Sequence, residues 1–141
     1  MRLVAISAFS AALLFGMPAM AKVFPGPVPA DVLSVYDGDT FTALAHPWPD
    51  IDVTVRVRVK GVDAPEIRGK CESEKERARA ARHRVRALVK DGVSLTAISD
   101  DKYNRKAAHV ILPDGRDLAD ILVSEGYGRR YDGGKRESWC D

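Results

Sequence analysis

The alternation of apolar and polar residues along the chain predicts several short strands. Between positions 53 and 60, four valines alternate with threonine, arginine and lysine, which is the period-two pattern of a strand with one apolar and one cationic face. Pro65 cannot donate a hydrogen bond to a neighbouring strand, so this strand is expected to end shortly before it. Similar apolar runs predict further strands near residues 32–36, 40–44, 93–98 and 107–112.

Apolar residues at helical spacing predict two helices. A three- and four-residue spacing from position 78 to position 89 predicts one amphipathic helix. Ser73 is predicted to be its N-cap, because Ser73 and Glu76 fit the spacing of a capping box. Asp117 and Gly126 are residue types that begin and end helices, and they predict a second, shorter helix between them.

The order of these elements favours a mainly β fold with α-helices. Several short strands with one long helix among them are typical of a five-stranded Greek-key barrel of the OB type, here with two packed helices. An open α+β sheet fits the same order nearly as well. Residues 46–50 contain two prolines and are predicted to be a loop, and residues 127–141 are predicted to be mostly irregular.

The first 21 residues have the pattern of a secretory signal peptide. One arginine precedes an uncharged run to Gly16, and a small-x-small site ends at Ala21. Cleavage there would leave an extended lead-in over 22–30 and one domain over 31–141, secreted or periplasmic and with no membrane segment. The alternative is an uncleaved anchor, which the short and interrupted run disfavours.

Charge and cysteine content narrow the picture further. The 141 residues include 22 basic and 20 acidic side chains, so affinity for a polyanion must come from local clusters and not from net charge. The two cysteines, Cys71 and Cys140, form an even pair, which in an exported protein suggests a disulfide. Two free thiols are the alternative.

Charged residues at the end of the valine-rich strand are the first candidates for a functional site. Arg58 lies on the strand, and Asp63 and Glu66 flank a stiff Ala-Pro turn. Two carboxylates and a guanidinium on rigid backbone suit a hard metal ion and a phosphate group. The alternative is a strand end with solvated charges.

Three segments together resemble the staphylococcal nuclease (thermonuclease) family. They are Val-Tyr-Asp-Gly-Asp-Thr at 35–40, Arg-Val-Lys-Gly-Val-Asp-Ala-Pro-Glu at 58–66 and Asp-Lys-Tyr-Asn-Arg at 101–105. The resemblance in order and spacing spans roughly residues 31–131, which is far more specific than a single motif. It implies an OB-fold barrel and a calcium-dependent phosphodiesterase that acts on DNA and RNA.

The resemblance also implies a metal site and a base. Asp39 and Asp63 would be side-chain ligands of Ca²⁺, and the Ala64 carbonyl would be a backbone ligand. Glu66 would be the general base or would position the attacking water. Ala64 stands where the best-known member has threonine, a change that keeps the backbone ligand and removes a hydroxyl.

Four further residues are implied to contact nucleic acid. Arg58 and Arg105 would grip the scissile phosphate, and Lys102 and Tyr103 would line the neighbouring nucleotide-phosphate site. A tyrosine expected over the substrate base is absent, because its position holds Asp132, with Tyr131 beside it.

Three functions are compatible with these residues. The first is an exported, monomeric Ca²⁺-dependent nuclease with DNA or RNA as substrate, favoured because all the acidic and arginine positions are retained. The second is a non-catalytic nucleic-acid-binding module, since OB barrels often bind single strands in basic grooves. The third is a structural or protein-interaction domain.

Overall fold

The structure of the protein is a computed structural model, which describes residues 22–140. The predicted signal peptide, residues 1–21, lies outside the described residues. Within the described part, every helix is too short or too polar to cross a membrane.

Seven strands and two helices make up the fold. In chain order they are β1 (Val28–Asp37), β2 (Thr40–Trp48), β3 (Ile51–Val59), β4 (Gly61–Asp63), α1 (Glu72–Leu88), β5 (Val93–Asp100), β6 (Lys106–Ile111), α2 (Leu118–Ser124) and β7 (Arg129–Tyr131). Five strands close into a barrel in the order β1-β2-β3-β6-β5, while β4 and β7 pair outside it.

The predicted five-stranded OB-type barrel with two packed helices is confirmed. Strand β1 pairs with β2 along one edge and with β5 along the other, which closes the sheet and removes the open-sheet alternative. The β3–β6 pairing is parallel, whereas the other barrel pairings are antiparallel. Closure leaves no unpaired barrel edge.

The core fills the barrel and the space under both helices. Phe41, Val57 and Leu95 are almost completely buried inside the barrel, and α1 contributes Ala78 and Ala81. Side chains of this size stabilise the fold by about 1.5–3 kcal/mol each when fully buried, alanine excepted. The barrel therefore supplies a rigid frame for the loops at its end.

Two predicted boundaries of irregular structure differ from those observed. Strand β1 begins at Val28, so residues 28–30 of the predicted lead-in belong to the barrel. The predicted loop at 46–50 is mostly strand, because β2 continues to Trp48, which pairs with Ile51 across a tight turn. Both extensions depend on strand partners, which local residue composition does not reveal.

The predicted capping box at Ser73 is wrong. Helix α1 begins at Glu72 after Cys71, whose extended backbone makes it the N-cap. Instead of Glu76, it is Glu74 that turns back, and its carboxylate accepts hydrogen bonds from the backbone N–H groups of Glu66 and Lys70. Glu74 is thus buried against the loop before the helix, a tertiary contact that outweighs the local capping pattern.

The second helix begins and ends as predicted. The Asp117 side chain accepts a hydrogen bond from the backbone N–H of Ala119 at 2.8 Å, which caps α2. Gly126 follows the C-cap residue with a φ of 78°, a conformation that glycine adopts without steric penalty.

The contacts of His46 indicate that its contribution to the stability of the fold depends on pH. Its ring contacts Asp52 on β3 at 2.7 Å and Asp31 on β1 at 3.0 Å, and these hydrogen bonds, with Asp52 the larger effect, raise the pKa of His46 above 6.5. Because the folded-state pKa is raised, the stabilisation is fully present below the unfolded value of 6.5 and is lost as pH rises through the folded value.

We therefore expect the free energy of unfolding of the wild type to fall, relative to that of His46→Gln, as pH rises. Urea unfolding between about pH 5 and 8 measures this difference. His83→Gln, an exposed histidine on α1, is the control and should follow the wild type. A constant difference between His46→Gln and wild type across this range would contradict the role of His46.

Candidate active site

The turn between β1 and β2 places Asp39 at the end of the barrel. Asp37 pairs with Thr40, so Gly38 and Asp39 form a two-residue turn. Asp39 is buried, and its Oδ2 accepts a hydrogen bond from the backbone N–H of Ala64 at 2.9 Å. This bond joins the turn to the end of β4, where the next predicted metal ligands lie.

Gly38 is required here by close packing. A Cβ at position 38 would lie 2.8 Å from the Cβ of Ala64 and 3.1 Å from the Cβ of Ala81 on α1. Both distances are shorter than ordinary carbon–carbon contacts, so the turn fits against β4 and α1 only without a side chain.

We expect Gly38→Ala to lower the free energy of unfolding by about 1–3 kcal/mol, because the added methyl group overpacks the turn. Urea unfolding of the variant measures the change. In an Ala64→Gly background the opposing methyl group is absent, and the cost of Gly38→Ala should shrink. An equal cost in both backgrounds would contradict the packing explanation.

Asp63 is the last residue of β4 and is buried, with both carboxylate oxygens in hydrogen bonds. Its Oδ1 accepts from Nε of Arg136 at 2.5 Å, and its Oδ2 accepts from the indole N–H of Trp139 at 3.1 Å. Pairing of β4 with β7 holds the strand in place. Strand β7 itself lies in the stretch predicted to be mostly irregular, and three residues are too few to leave a period-two pattern.

Glu66 lies on the exposed loop that follows, where its side chain is about half accessible. Its Oε1 accepts a hydrogen bond from Nη1 of Arg136 at 2.6 Å. The predicted disulfide between Cys71 and Cys140 is confirmed, with a Cα–Cα distance of 6.0 Å. This bond holds the C-terminal segment beside the Glu66 loop.

Both predicted phosphate-binding arginines are held in place by hydrogen bonds. The Arg58 guanidinium donates to the carbonyls of Val59 and Val62 at 2.6 and 2.9 Å, and its Nη2 lies 3.5 Å from Oδ2 of Asp39. Arg105 donates through Nε to Oδ2 of Asp101 at 2.8 Å. Prior orientation of this kind reduces the conformational entropy that substrate binding would otherwise remove.

Most of the predicted site residues line one cleft of about 470 Å³. They are Asp39, Arg58, Glu66, Tyr103 and Arg105. Asp63 and Ala64 are buried and do not line this cleft, but both are hydrogen-bonded to Arg136, which does, and the Ala64 N–H is bonded to Asp39. Lys102 lines a second cleft of about 760 Å³, together with Tyr131 and Asp132.

The two clefts share four residues, which are Arg58, Tyr103, Arg105 and Arg136. Both predicted phosphate-binding arginines therefore lie where the clefts meet, a position from which a polymer could extend in two directions. An apolar groove lined by Phe24, Val53 and Leu95 contains none of the predicted site residues.

The cleft of about 470 Å³ is lined by four charged residues that the sequence prediction did not assign to the site, which are Asp37, Arg56, Arg68 and Arg136. Asp37 is buried beside Asp39, and its burial, followed by the charge of Asp39, raises the pKa of Asp37 to about 7. Burial acts to lower the pKa of Arg136, but hydrogen bonds to Glu66 and Asp63 raise that pKa overall above its ordinary value. The predicted disulfide was the available signal for Arg136, since it brings position 140 near the Glu66 loop.

The acidic residues fit a hard cation by their chemistry. Asp63, Glu66 and the Ala64 carbonyl all present oxygen to one cationic group, the Arg136 guanidinium, and such oxygens are the ligands that Ca²⁺ prefers. Among the described residues, only Cys71, Glu74 and Cys140 bring three metal-binding side-chain atoms within 4.8 Å of one another. Those cysteines form the disulfide, and Asp39, Asp63 and Glu66 do not form such a group, so the role of Asp39 and Asp63 as calcium ligands stays a prediction.

The fold makes the protein an OB-type barrel, a class whose members often hold oligonucleotides or oligosaccharides on one face. Residues 56–138, more than half of the chain, match the family model described as staphylococcal nuclease homologue, so the chain belongs to that family. The matched stretch includes every predicted catalytic, substrate-binding and metal-binding residue except Asp39. A comparison with curated proteins finds no match. Membership of this family indicates a nuclease-type or nucleic-acid-binding function.

Proposed function

We propose that the protein is an exported, calcium-dependent nuclease that hydrolyses phosphodiester bonds of DNA, RNA or both, and that acts as a monomer. The observation that carries this proposal is the cleft in which Asp39, Glu66, Arg58 and Arg105 meet. Export is supported by the predicted signal peptide and by the Cys71–Cys140 disulfide, a bond that persists mainly in oxidising compartments.

Arg58 and Arg105 would bind the scissile phosphate. Attack on a phosphodiester adds negative charge to a group that is already anionic, and fixed cations stabilise that charge where it develops. The planar guanidinium donates two parallel hydrogen bonds to phosphate oxygens and keeps its charge at any ordinary pH. Hydrogen bonds orient both guanidinium groups before the substrate binds. Arg58 donates to two backbone carbonyls, and Arg105 donates to Asp101.

Glu66 would be the general base. It is the most accessible carboxylate among the predicted catalytic and metal-binding residues, so water can reach it from the cleft. The oxygen of water forms the new bond to phosphorus, and a proton of that water passes to Glu66. The bond from phosphorus to the leaving oxygen breaks, and this oxygen keeps the electron pair and takes up a proton to give the alcohol product. In the described arrangement Glu66 is bonded to Arg136, so this role requires that contact to open.

Asp39, Asp63 and the Ala64 carbonyl would hold Ca²⁺. When bound, the ion would supply positive charge that stabilises the negative charge developing on the phosphate. The close bond between Asp39 and the Ala64 N–H keeps these ligand groups in register.

The assay that tests the proposal uses purified mature protein with a labelled single-stranded oligonucleotide and Ca²⁺. Shortened products support the nuclease. An intact oligonucleotide that nevertheless binds the protein would favour the non-catalytic binding module instead. One observation favours this second candidate, which is the engagement of Asp63 and Glu66 by Arg136.

Tyr103 provides a prediction common to both candidates. It is 59% exposed, and its ring lies 5.0 Å from Nζ of Lys102 and 5.1 Å from the Arg105 guanidinium. An exposed aromatic ring among cations is typical of base stacking on single strands. We expect Tyr103→Ala to raise the Kd for single-stranded DNA about tenfold, measured by fluorescence anisotropy.

Tyr103→Phe is the matched variant, because it keeps the ring and removes only the hydroxyl. Its Kd should stay close to that of the wild type. Equal weakening by phenylalanine and alanine would show that the ring itself does not stack on a base.

A further inference from the structure

Arg136 lies at the centre of the acidic residues assigned to metal binding. Its Nε donates to Oδ1 of Asp63 at 2.5 Å, its Nη1 to Oε1 of Glu66 at 2.6 Å, and its Nη2 to the Ala64 carbonyl at 3.2 Å. These acceptors include two of the three predicted calcium ligands and the predicted base. One guanidinium therefore uses the same oxygens that a divalent ion would need.

We propose, on the basis of the proposed function, that Arg136 is a built-in cation of this site that competes with the divalent ion. The guanidinium and the ion carry charge of the same sign and would be held by the same three groups, so they repel each other at this short range. Arg136 therefore leaves Asp63, Ala64 and Glu66 when the ion binds.

Electrostatics explains why the site needs a cation of its own. Asp37, Asp39 and Asp63 are all buried at one end of the barrel, where like charges raise the free energy of the ionised forms. Arg58 forms an ion pair with one of them, Asp39, at 3.5 Å. Arg136 brings a second positive charge to the cluster and stabilises it when no metal ion is bound.

The C-terminal arm, residues 132–140, delivers Arg136 to the acids. Its far end is held by the Cys71–Cys140 disulfide and by Trp139, which is buried and bonded to Asp63. Its near end contains Gly133 and Gly134, both with positive φ and with open space where a side chain would lie. Arg136 can thus move at the glycines while the disulfide stays intact.

Tethering makes the competition effective. Because the arm continues from β7, which pairs with β4, and is held at its far end by the disulfide, the guanidinium stays at a high effective concentration near the acids whatever the protein concentration is. By linkage, the net affinity for the metal ion is reduced by the free energy of the contacts that Arg136 gives up.

A calorimetric Ca²⁺ titration of the mature protein, with its disulfide intact, tests this competition. We expect Arg136→Gln to bind Ca²⁺ about tenfold or more tightly than wild type, because charge-assisted hydrogen bonds are then lost only from the metal-free state. Lys135→Gln removes the same charge one residue earlier, from an exposed side chain, and should stay within about threefold of wild type.

Equal or weaker binding by Arg136→Gln than by wild type, or no binding by this variant, would overturn the proposal. If Arg136→Gln does not fold, Arg136→Met decides, since methionine keeps an unbranched apolar stem and removes the charge. Tighter Ca²⁺ binding by Arg136→Met than by wild type supports competition, and equal or weaker binding overturns it. Cleavage is measured separately, so tighter binding by a protein that cleaves nothing would contradict only the proposed nuclease.

Discussion

Replacing Glu66 with glutamine is expected to lower the turnover number for cleavage of single-stranded DNA by about 10²- to 10⁴-fold. Glutamine has nearly the same shape as glutamate but cannot take a proton from water, so the contribution of the general base is lost. The side chain lies half-exposed in the cleft, within reach of both solvent and a bound phosphate. Steady-state cleavage at saturating substrate measures the change.

Glu125→Gln is the control for this variant. Glu125 is also a surface carboxylate paired with an arginine, since Arg84 donates to both of its oxygens at 2.7 and 2.8 Å, but it lies outside both clefts. The Glu125→Gln variant should have the same turnover number as the wild type. If Glu66→Gln kept more than about a third of wild-type turnover, Glu66 would not be the base.

Replacing Arg105 with alanine is expected to lower turnover by about 10²-fold or more. The guanidinium is held by Asp101 at the junction of the two clefts, where it can meet the charge that develops on a phosphate. Loss of one such pre-oriented donor typically lowers the rate by about 10²- to 10³-fold. Arg105→Lys should recover only part of the rate, because an ammonium group lacks the planar fork.

The chain offers a matched control for Arg105. Arg116 donates to Asp114 through its backbone N–H at 3.0 Å and through Nε at 2.8 Å, and Arg105 makes the same two contacts to Asp101 at the same distances. Arg116 lies outside both clefts, so Arg116→Ala should cleave like wild type. An effect of less than about threefold for Arg105→Ala would remove Arg105 from its proposed role.

Much of the barrel could be predicted from the sequence because its strands carry local patterns. Valine alternation indicated β3, and Asp117 and Gly126 bounded α2 correctly. The start of β1 and the end of β2 were harder to predict from the sequence, because pairing with distant strands extends both strands through proline-containing segments. The start of α1 was wrong for a related reason: the disulfide at Cys71 and the buried carboxylate of Glu74 set it, and neither contact is local.

Part of the site could also be predicted from the sequence. The predicted residues Asp39, Arg58, Glu66 and Arg105 come from three separate segments, and they line one cleft. Their roles remain predictions. Arg136 was missed because its importance depends on the path of the C-terminal arm, which the Cys71–Cys140 disulfide fixes and no local pattern encodes.

The most direct test of the central claim is a single cleavage reaction on labelled single-stranded DNA. Mature protein is given chelator first and excess Ca²⁺ afterwards, and the shortened products are followed over time. We expect no products while the chelator binds the metal and rapid cleavage once Ca²⁺ is in excess. Cleavage at the same rate in both phases, or none in either, would contradict a calcium-dependent nuclease built on Asp39 and Asp63.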